Sequence, residues 1–359
     1  MPHPMPRSSR LLRPLLAAAC GLAPLLLPAC GGLTAEEEQL LEDFRARATQ
    51  YYDANDLGRA EQQALRGLQI DPDHPVLNHI MGRTLLKYQD ARHVAAARKY
   101  LEKAYELDPQ YKTAYSLGEC RLRLAEFRVA RAVALDERAA ELGPDEVEAR
   151  AELADRAERL RADSVEDLAA AEKYLGIALE ADPSNVWALR LLANTYAHQD
   201  RPEDALHALE RLIEELRASR RWKNERLALE ALPLVEEQSL RQRVREDIEM
   251  EIEARGLAAA IHKAAQRYAE SAEQLSEILK LDPSRVQEYY NRGLCRYWLG
   301  DLAGAHADMR EFLRRTDLEF GAEEVERALN IVSEYERTRA GAAAGLNPVD
   351  GAGDRTGRD

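Results

Sequence analysis

Small and large apolar residues recur along this chain with the period of a helix. An Ala stands at Ala60, Ala97, Ala132, Ala171, Ala205 and Ala305, and large apolar residues follow four and eight positions later, as at Leu101 and Tyr105 or Leu175 and Leu179. Such spacings put the side chains on one helix face, so each run predicts an amphipathic helix. A preceding helix carries its own small residue, at Ala48, Gly82, Gly118, Ala193 or Gly293. Small residues let two antiparallel helices approach closely, and the large ones fill the space toward the next pair.

The helices end at a repeated phrase: Ile70-Asp71-Pro72, Leu107-Asp108-Pro109, Leu142-Gly143-Pro144, Ala181-Asp182-Pro183 and Leu281-Asp282-Pro283. Pro cannot continue a helix and restricts the residue before it. The five prolines lie 37, 35, 39 and 100 residues apart, and the last interval predicts three units, two of them degenerate.

These residues resemble the tetratricopeptide repeat, a helix–turn–helix unit of about 34 residues. The fullest copy is Tyr289 to Phe312, with Tyr289, Gly293, Gly300-Asp301-Leu302, Ala305, Met309 and Phe312 at the expected spacings. Asn185 to Leu212 matches at Leu192-Ala193, Tyr196, Ala205, Leu209 and Leu212, and Phe44 to Pro72 at Ala48, Tyr51, Leu57 and Ala60. The resemblance covers residues 37–338. It implies an all-α, right-handed superhelix, an α-solenoid of about seven to eight antiparallel helix pairs, closed by a C-terminal capping helix. Two stretches fit poorly, residues 145–168 and residues 213–265, the latter read as divergent with long helices, one beginning at Pro233. Arg217, Arg220, Arg221 and Lys223 form a basic cluster there. A divergent repeat, a solvated helix end and a partner-binding insertion all fit it. Glu323 to Arg339 reads as the cap, and residues 339–359, rich in Gly, Ala and Asp, as a disordered tail.

Composition agrees with an all-α chain, since helix formers dominate and aromatics make up only 6 %. A formal charge of −14 argues against a nucleic-acid binder, because no basic patch stands out against so many carboxylates. The first residues differ in kind. Arg7, Arg10 and Arg13 precede an apolar stretch from Leu15 to Ala29, a signal-peptide pattern too short and Pro-rich to span a bilayer. It ends at Leu27-Pro28-Ala29-Cys30-Gly31, which resembles the bacterial lipobox. The resemblance implies cleavage of residues 1–29, a lipid on Cys30 and a tether over residues 30–36. Cys20 is a rival candidate that lacks Leu at −3. Gly31 in place of Asp favours the periplasmic face of the outer membrane by the same resemblance. Cys120 and Cys295 occupy matching positions of distant repeats and read as core-facing rather than as a disulfide.

No nucleophile elbow, zinc-protease helix, phosphate loop or dinucleotide fingerprint occurs, so the reading is of a chain with no catalytic residues, metal or cofactor. The repeat resemblance implies a concave groove lined by first helices. Carried over by position, it is lined by Arg45, Tyr52, His79, Arg83, Lys87, Lys112, Tyr115, Glu119, Arg123, Trp187, Arg190, Asn194, His198 and Tyr290. Tyr297 and Trp298 fall at such positions too but read as core. The expected function is a protein-binding scaffold, lipid-anchored in the bacterial envelope, gripping a protein or peptide partner in that groove. A periplasmic holding chaperone and a cytoplasmic adaptor are the alternatives.

Overall fold

In the computed structural model, which describes residues 33–228 and 232–343, every regular element is a helix. They form six antiparallel pairs: α1 (Ala35–Asp53) with α2 (Leu57–Ile70), α3 (Pro75–Leu86) with α4 (Ala91–Leu107), α5 (Tyr111–Glu141) with α6 (Val147–Ala181), α7 (Val186–His198) with α8 (Pro202–Leu227), α9 (Leu234–Ala264) with α10 (Tyr268–Leu281), and α11 (Val286–Trp298) with α12 (Leu302–Arg315). The last helix, α13 (Glu323–Ala343), packs on α12 and α11 and closes the array. The all-α solenoid expected from the sequence is present, but with six pairs among the described residues instead of seven or eight. Residues 145–168 make no unit of their own, and the interval between Pro183 and Pro283 holds two pairs, not three. Four long helices, α5, α6, α8 and α9, absorb the difference.

The short turns inside five of the pairs share one device. Each has one residue at positive φ: Asn55, Gln89, Asp200, Gln266 or Gly300. Only Gly300 is the residue the repeat pattern calls for; the others adopt the left-handed conformation with a Cβ, at a local cost that the packed helix pair overrides. The first helix starts on a capping box, Thr34 accepting from the Glu37 backbone while the Glu37 carboxylate accepts from the Thr34 N–H at 2.9 Å.

Small-on-large packing joins the two helices of a pair. A Cβ on Gly82 of α3 would lie 2.5 Å from Leu101 Cγ of α4, and one on Gly118 of α5 would lie 2.5 Å from Leu175 Cγ of α6. Gly293 of α11 faces Met309 of α12 in the same way. Gly82 and Leu101 are close in sequence, whereas Gly118 and Leu175 are separated by the outer halves of α5 and α6. Those halves form a helical hairpin with Leu142-Gly143-Pro144 at its tip and a seam of buried alanines, Ala132, Ala139 and Ala157. Ala132 therefore lies mid-helix in α5 and does not open a second helix.

The core is a string of clusters. One joins α1 to α5, a second joins α5 to α9, and smaller ones join α9 to α11 and α11 to α13. Cys120 and Cys295 are fully buried in different clusters, where Cys120 Sγ donates to the Val94 carbonyl and Cys295 Sγ to Ser271 Oγ, each at 3.4 Å. Buried carboxylates tie neighbouring helices at three places. Asp167 of α6 meets Arg121 and Arg128 of α5, Asp308 of α12 meets Arg292 and Arg296 of α11, and Glu251 of α9 meets Arg217 and Arg220 of α8 and Arg255 of α9. Lys223 adds a bond to Asp247 of α9 at 2.6 Å. The basic cluster of the sequence is thus largely turned inward, where it clamps α8 to α9.

No helix of the described residues is long and apolar enough to cross a membrane. The signal segment, Cys30 and the tail from residue 344 lie outside the described residues. Helix α1 begins two residues before the expected solenoid, and α13 continues through residues 339–343, where a tail was expected.

Candidate functional site: a cleft on the inner face

Successive first helices touch one another, α1 with α3, α3 with α5 and α5 with α7, while no comparable packing joins successive second helices. First helices therefore line the inner, more tightly curved face, and second helices the outer one. On the inner face α1, α3, α5 and α7 enclose an open cleft of about 470 Å³.

The cleft gathers most of the residues expected from sequence. Tyr52 comes from the end of α1, Arg83 and Leu86 from α3, and Lys87 caps α3. Tyr115, Glu119 and Arg123 form an i, i+4, i+8 stripe on α5, and Trp187 and Arg190 come from α7. Leu86, Gln89 and Asn185 complete the lining and were not read from the sequence. Gln89 and Asn185 belong to a turn and a helix cap, which a rule about helix-interior positions passes over. Asn185, a residue type that favours helix caps, is the one with a signal in the sequence; Gln89 is placed by a positive φ that only the structure displays.

Cations dominate the cleft. The Arg83 guanidinium lies 4.8 Å and the Lys87 ammonium 5.6 Å from the centre of the Tyr52 ring, within range of the ring's negative face. Arg190 lies 5.1 Å from the Trp187 ring and pairs with Glu253 of α9 at 3.2 Å. Arg123 donates to the Leu86 carbonyl at 2.8 Å and pairs with Glu119 at 2.7 Å. Arg83 and Lys87 have no ion-pair partner among the described residues. Glu119 and Glu253 thus offset two of the four cations, and the cleft stays positive within a chain of charge −14. Burial, reinforced by Glu119, pushes the Tyr115 phenol up to about 12, so it remains an O–H donor at neutral pH. Burial also raises Tyr52.

The remaining expected residues stand elsewhere. His79 points away from the cleft, toward Thr113 Oγ1 at 3.1 Å, and lines a separate pocket of about 190 Å³ with Pro75 and Lys112. Burial, then the charges of Arg83 and Lys112, lower its pKa to about 4. His198 sits at the end of α7 paired with Glu126 of α5, whose hydrogen bond raises its pKa. Asn194 is half-buried in α7 outside the lining. Arg45 pairs with Glu42 of its own helix. Tyr290 is not a groove residue: it is 6 % exposed, its ring 5.0 Å from Phe312 in the core beneath α13. The cap covers the face that would otherwise be concave there. Trp298, expected in the core, is exposed and stacks on Tyr268 at 4.8 Å, while Tyr297 is half-buried and its hydroxyl donates to Glu334 at 2.8 Å.

Residues 164–227 match the family model described as tetratricopeptide repeat, and comparison with curated proteins finds no match. Among solved structures the chain is similar to YrrB, described as a tetratricopeptide-repeat protein with an unusual peptide-binding site, at 13 % identity over 74 % of this chain and 97 % of that one, with a TM-score of 0.45. It is similar to the Pseudomonas aeruginosa pilF product at 10 % identity over 84 % of this chain and 99 % of that one, TM-score 0.46. It is also similar to the TPR2AB domain of yeast Sti1 in complex with pHSP90, at 14 % identity over 83 % of this chain and 99 % of that one, TM-score 0.28. The matched segment runs from mid-α6 through α8, so residues 164–227 carry the tetratricopeptide repeat, and the same small-on-large helix pairing recurs on either side of that segment.

Proposed function

We propose that this chain is a non-enzymatic scaffold that holds an acidic, extended segment of a partner protein in the cleft between α1 and α7. Arg83 and Lys87 carry the reading. They stand on the inner face without carboxylate partners, beside the Tyr115 hydroxyl and the faces of Tyr52 and Trp187. Such a site favours carboxylates by charge, with aromatic surface for the intervening side chains. The chain is held at the bacterial envelope by a lipid on Cys30, with the outer membrane facing the periplasm as its place; the Leu27-to-Gly31 pentapeptide supports this.

The test is a binding titration of peptides rich in Asp and Glu against scrambled basic ones. Acidic peptides should bind, and Arg83→Glu with Lys87→Glu should weaken binding by at least about tenfold, roughly the scale of two charge contacts. Equal binding of any unfolded chain, unmoved by the double variant, would favour a holding chaperone. Palmitate-analogue labelling lost in Cys30→Ala tests the anchor separately.

A further inference from the structure

A second cavity lies on the opposite face from the peptide cleft. It is an open groove of about 710 Å³ between the second helices α2 and α4. Its floor is apolar, with Leu65, Ala96 and Tyr100 among its residues, and Leu65 keeps 43 % of its surface exposed on an outer helix. The two helices diverge here, and small residues of α4, Ala95 and Ala96, leave the gap unfilled. Along its rim run Arg92, Lys99 and Lys103, spaced i, i+7 and i+11 on one stripe of α4. Lys103 is paired with Asp73 at 2.7 Å, whereas Arg92 and Lys99 have no ion-pair partner among the described residues.

An apolar trough edged by unpaired cations, in a chain of charge −14, matches an amphiphile with a negative head. We propose that this groove seats an acyl chain of an anionic phospholipid, with Arg92 and Lys99 on its phosphate. The place of the groove favours a lipid over an acidic helix. Its Pro72 end is where α1 begins, and Leu33 packs there against the same core cluster. Cys30 is three residues further back, within about 11 Å of chain reach. A lipid on Cys30 would hold the groove beside a bilayer. This proximity rests on the anchor proposed above, but the chemistry of the groove does not.

The experiment uses the chain from Gly31 onward, which holds every described helix and carries no anchor. Flotation compares phosphatidylcholine vesicles with vesicles of equal phosphatidylcholine and phosphatidylglycerol. Binding should be at least about tenfold stronger to the anionic vesicles and should fall with salt. Monomeric lyso-phosphatidylglycerol should bind, and glycerol 3-phosphate should not. Leu65→Glu, at an exposed position, and Arg92→Glu with Lys99→Glu should each weaken both forms of binding by about tenfold or more. If Leu65→Glu loses its helical signal, the double charge variant carries the test alone. Equal binding to both vesicles, glycerol 3-phosphate binding as well as the lyso-lipid, or variants that bind like the parent overturn the proposal. So does binding of an acidic amphipathic peptide in the groove with no binding of lipid.

Discussion

At the scale of single residues, two glycines of adjoining helices make opposite demands. Gly118 is a contact residue, since a methyl there would press on Leu175, which is fully buried and has no room to move. Gly176 of α6 has nothing within 4 Å of where its Cβ would be. Gly118→Ala should therefore cost about 1–3 kcal/mol despite its better helix propensity, as overpacked cores do. Gly176→Ala should gain about 0.5–1 kcal/mol. Urea midpoints measure both, and a stabilised Gly118→Ala would contradict the packing described. His79 supplies a pH dependence. In the unfolded chain it takes a proton near its ordinary 6.5, in the fold only near 4, because burial and the charges of Arg83 and Lys112 oppose the imidazolium. Between those values the unfolded state binds more protons, so stability falls as the pH is lowered through the window, by an amount of order 2–3 kcal/mol. In His79→Gln the slope between pH 6.5 and 4 should flatten; superimposable pH curves would assign the slope to other groups.

At the scale of elements, α8 and α9 show how the long helices are held. Glu251 is fully buried with three arginines around it, of which Arg255 and Arg220 are themselves nearly buried. Removing the carboxylate would leave those charges unmatched, so Glu251→Ala should destabilise by about 3–5 kcal/mol. The Arg226–Glu236 pair nearer the tip is 40 % and 39 % exposed, and Arg226→Ala should cost less than about 1 kcal/mol. Equal effects in thermal unfolding would mean that Glu251 is not a clamp. The sequence displayed the basic residues of this clamp as a cluster without displaying its partners. Glu251 lies a helix away, and nothing in the run from Arg217 to Lys223 indicates which way its side chains turn. The α5/α6 hairpin was hidden for a related reason. Ala132 carries the pattern of a helix opener, but an alanine also suits the seam of two long helices, and only the absence of a turn before it separates the two.

At the scale of the whole molecule, the stacked clusters predict graded stability, because each pair touches only its neighbours. Val325, Ala328 and Ile331 of α13 cover the last cluster. Deleting residues 323–359 should speed amide exchange in α11 and α12 by at least about tenfold while α1 to α8 stay protected. Uniform loss of protection would show one cooperative unit instead. Charge is distributed on the same scale. The chain is acidic as a whole, yet the inner cleft and the outer groove of its first pairs each keep two cations without carboxylate partners, and both proposals rest on that departure from the average.

What the sequence determined by itself was local and periodic. Helix stops at Asp-Pro, small-on-large spacing and the tetratricopeptide likeness all lie within one helix pair, and the cleft stripe Tyr115–Glu119–Arg123 follows from the same period. What only the tertiary structure decided was which faces remained open. Tyr290 obeys the groove spacing but is covered by α13, His79 is turned to Thr113, and the groove between α2 and α4 lies where two outer helices diverge. A helical period fixes the angle of a side chain about its own axis; what lies opposite is fixed by neighbours that are far away in the chain.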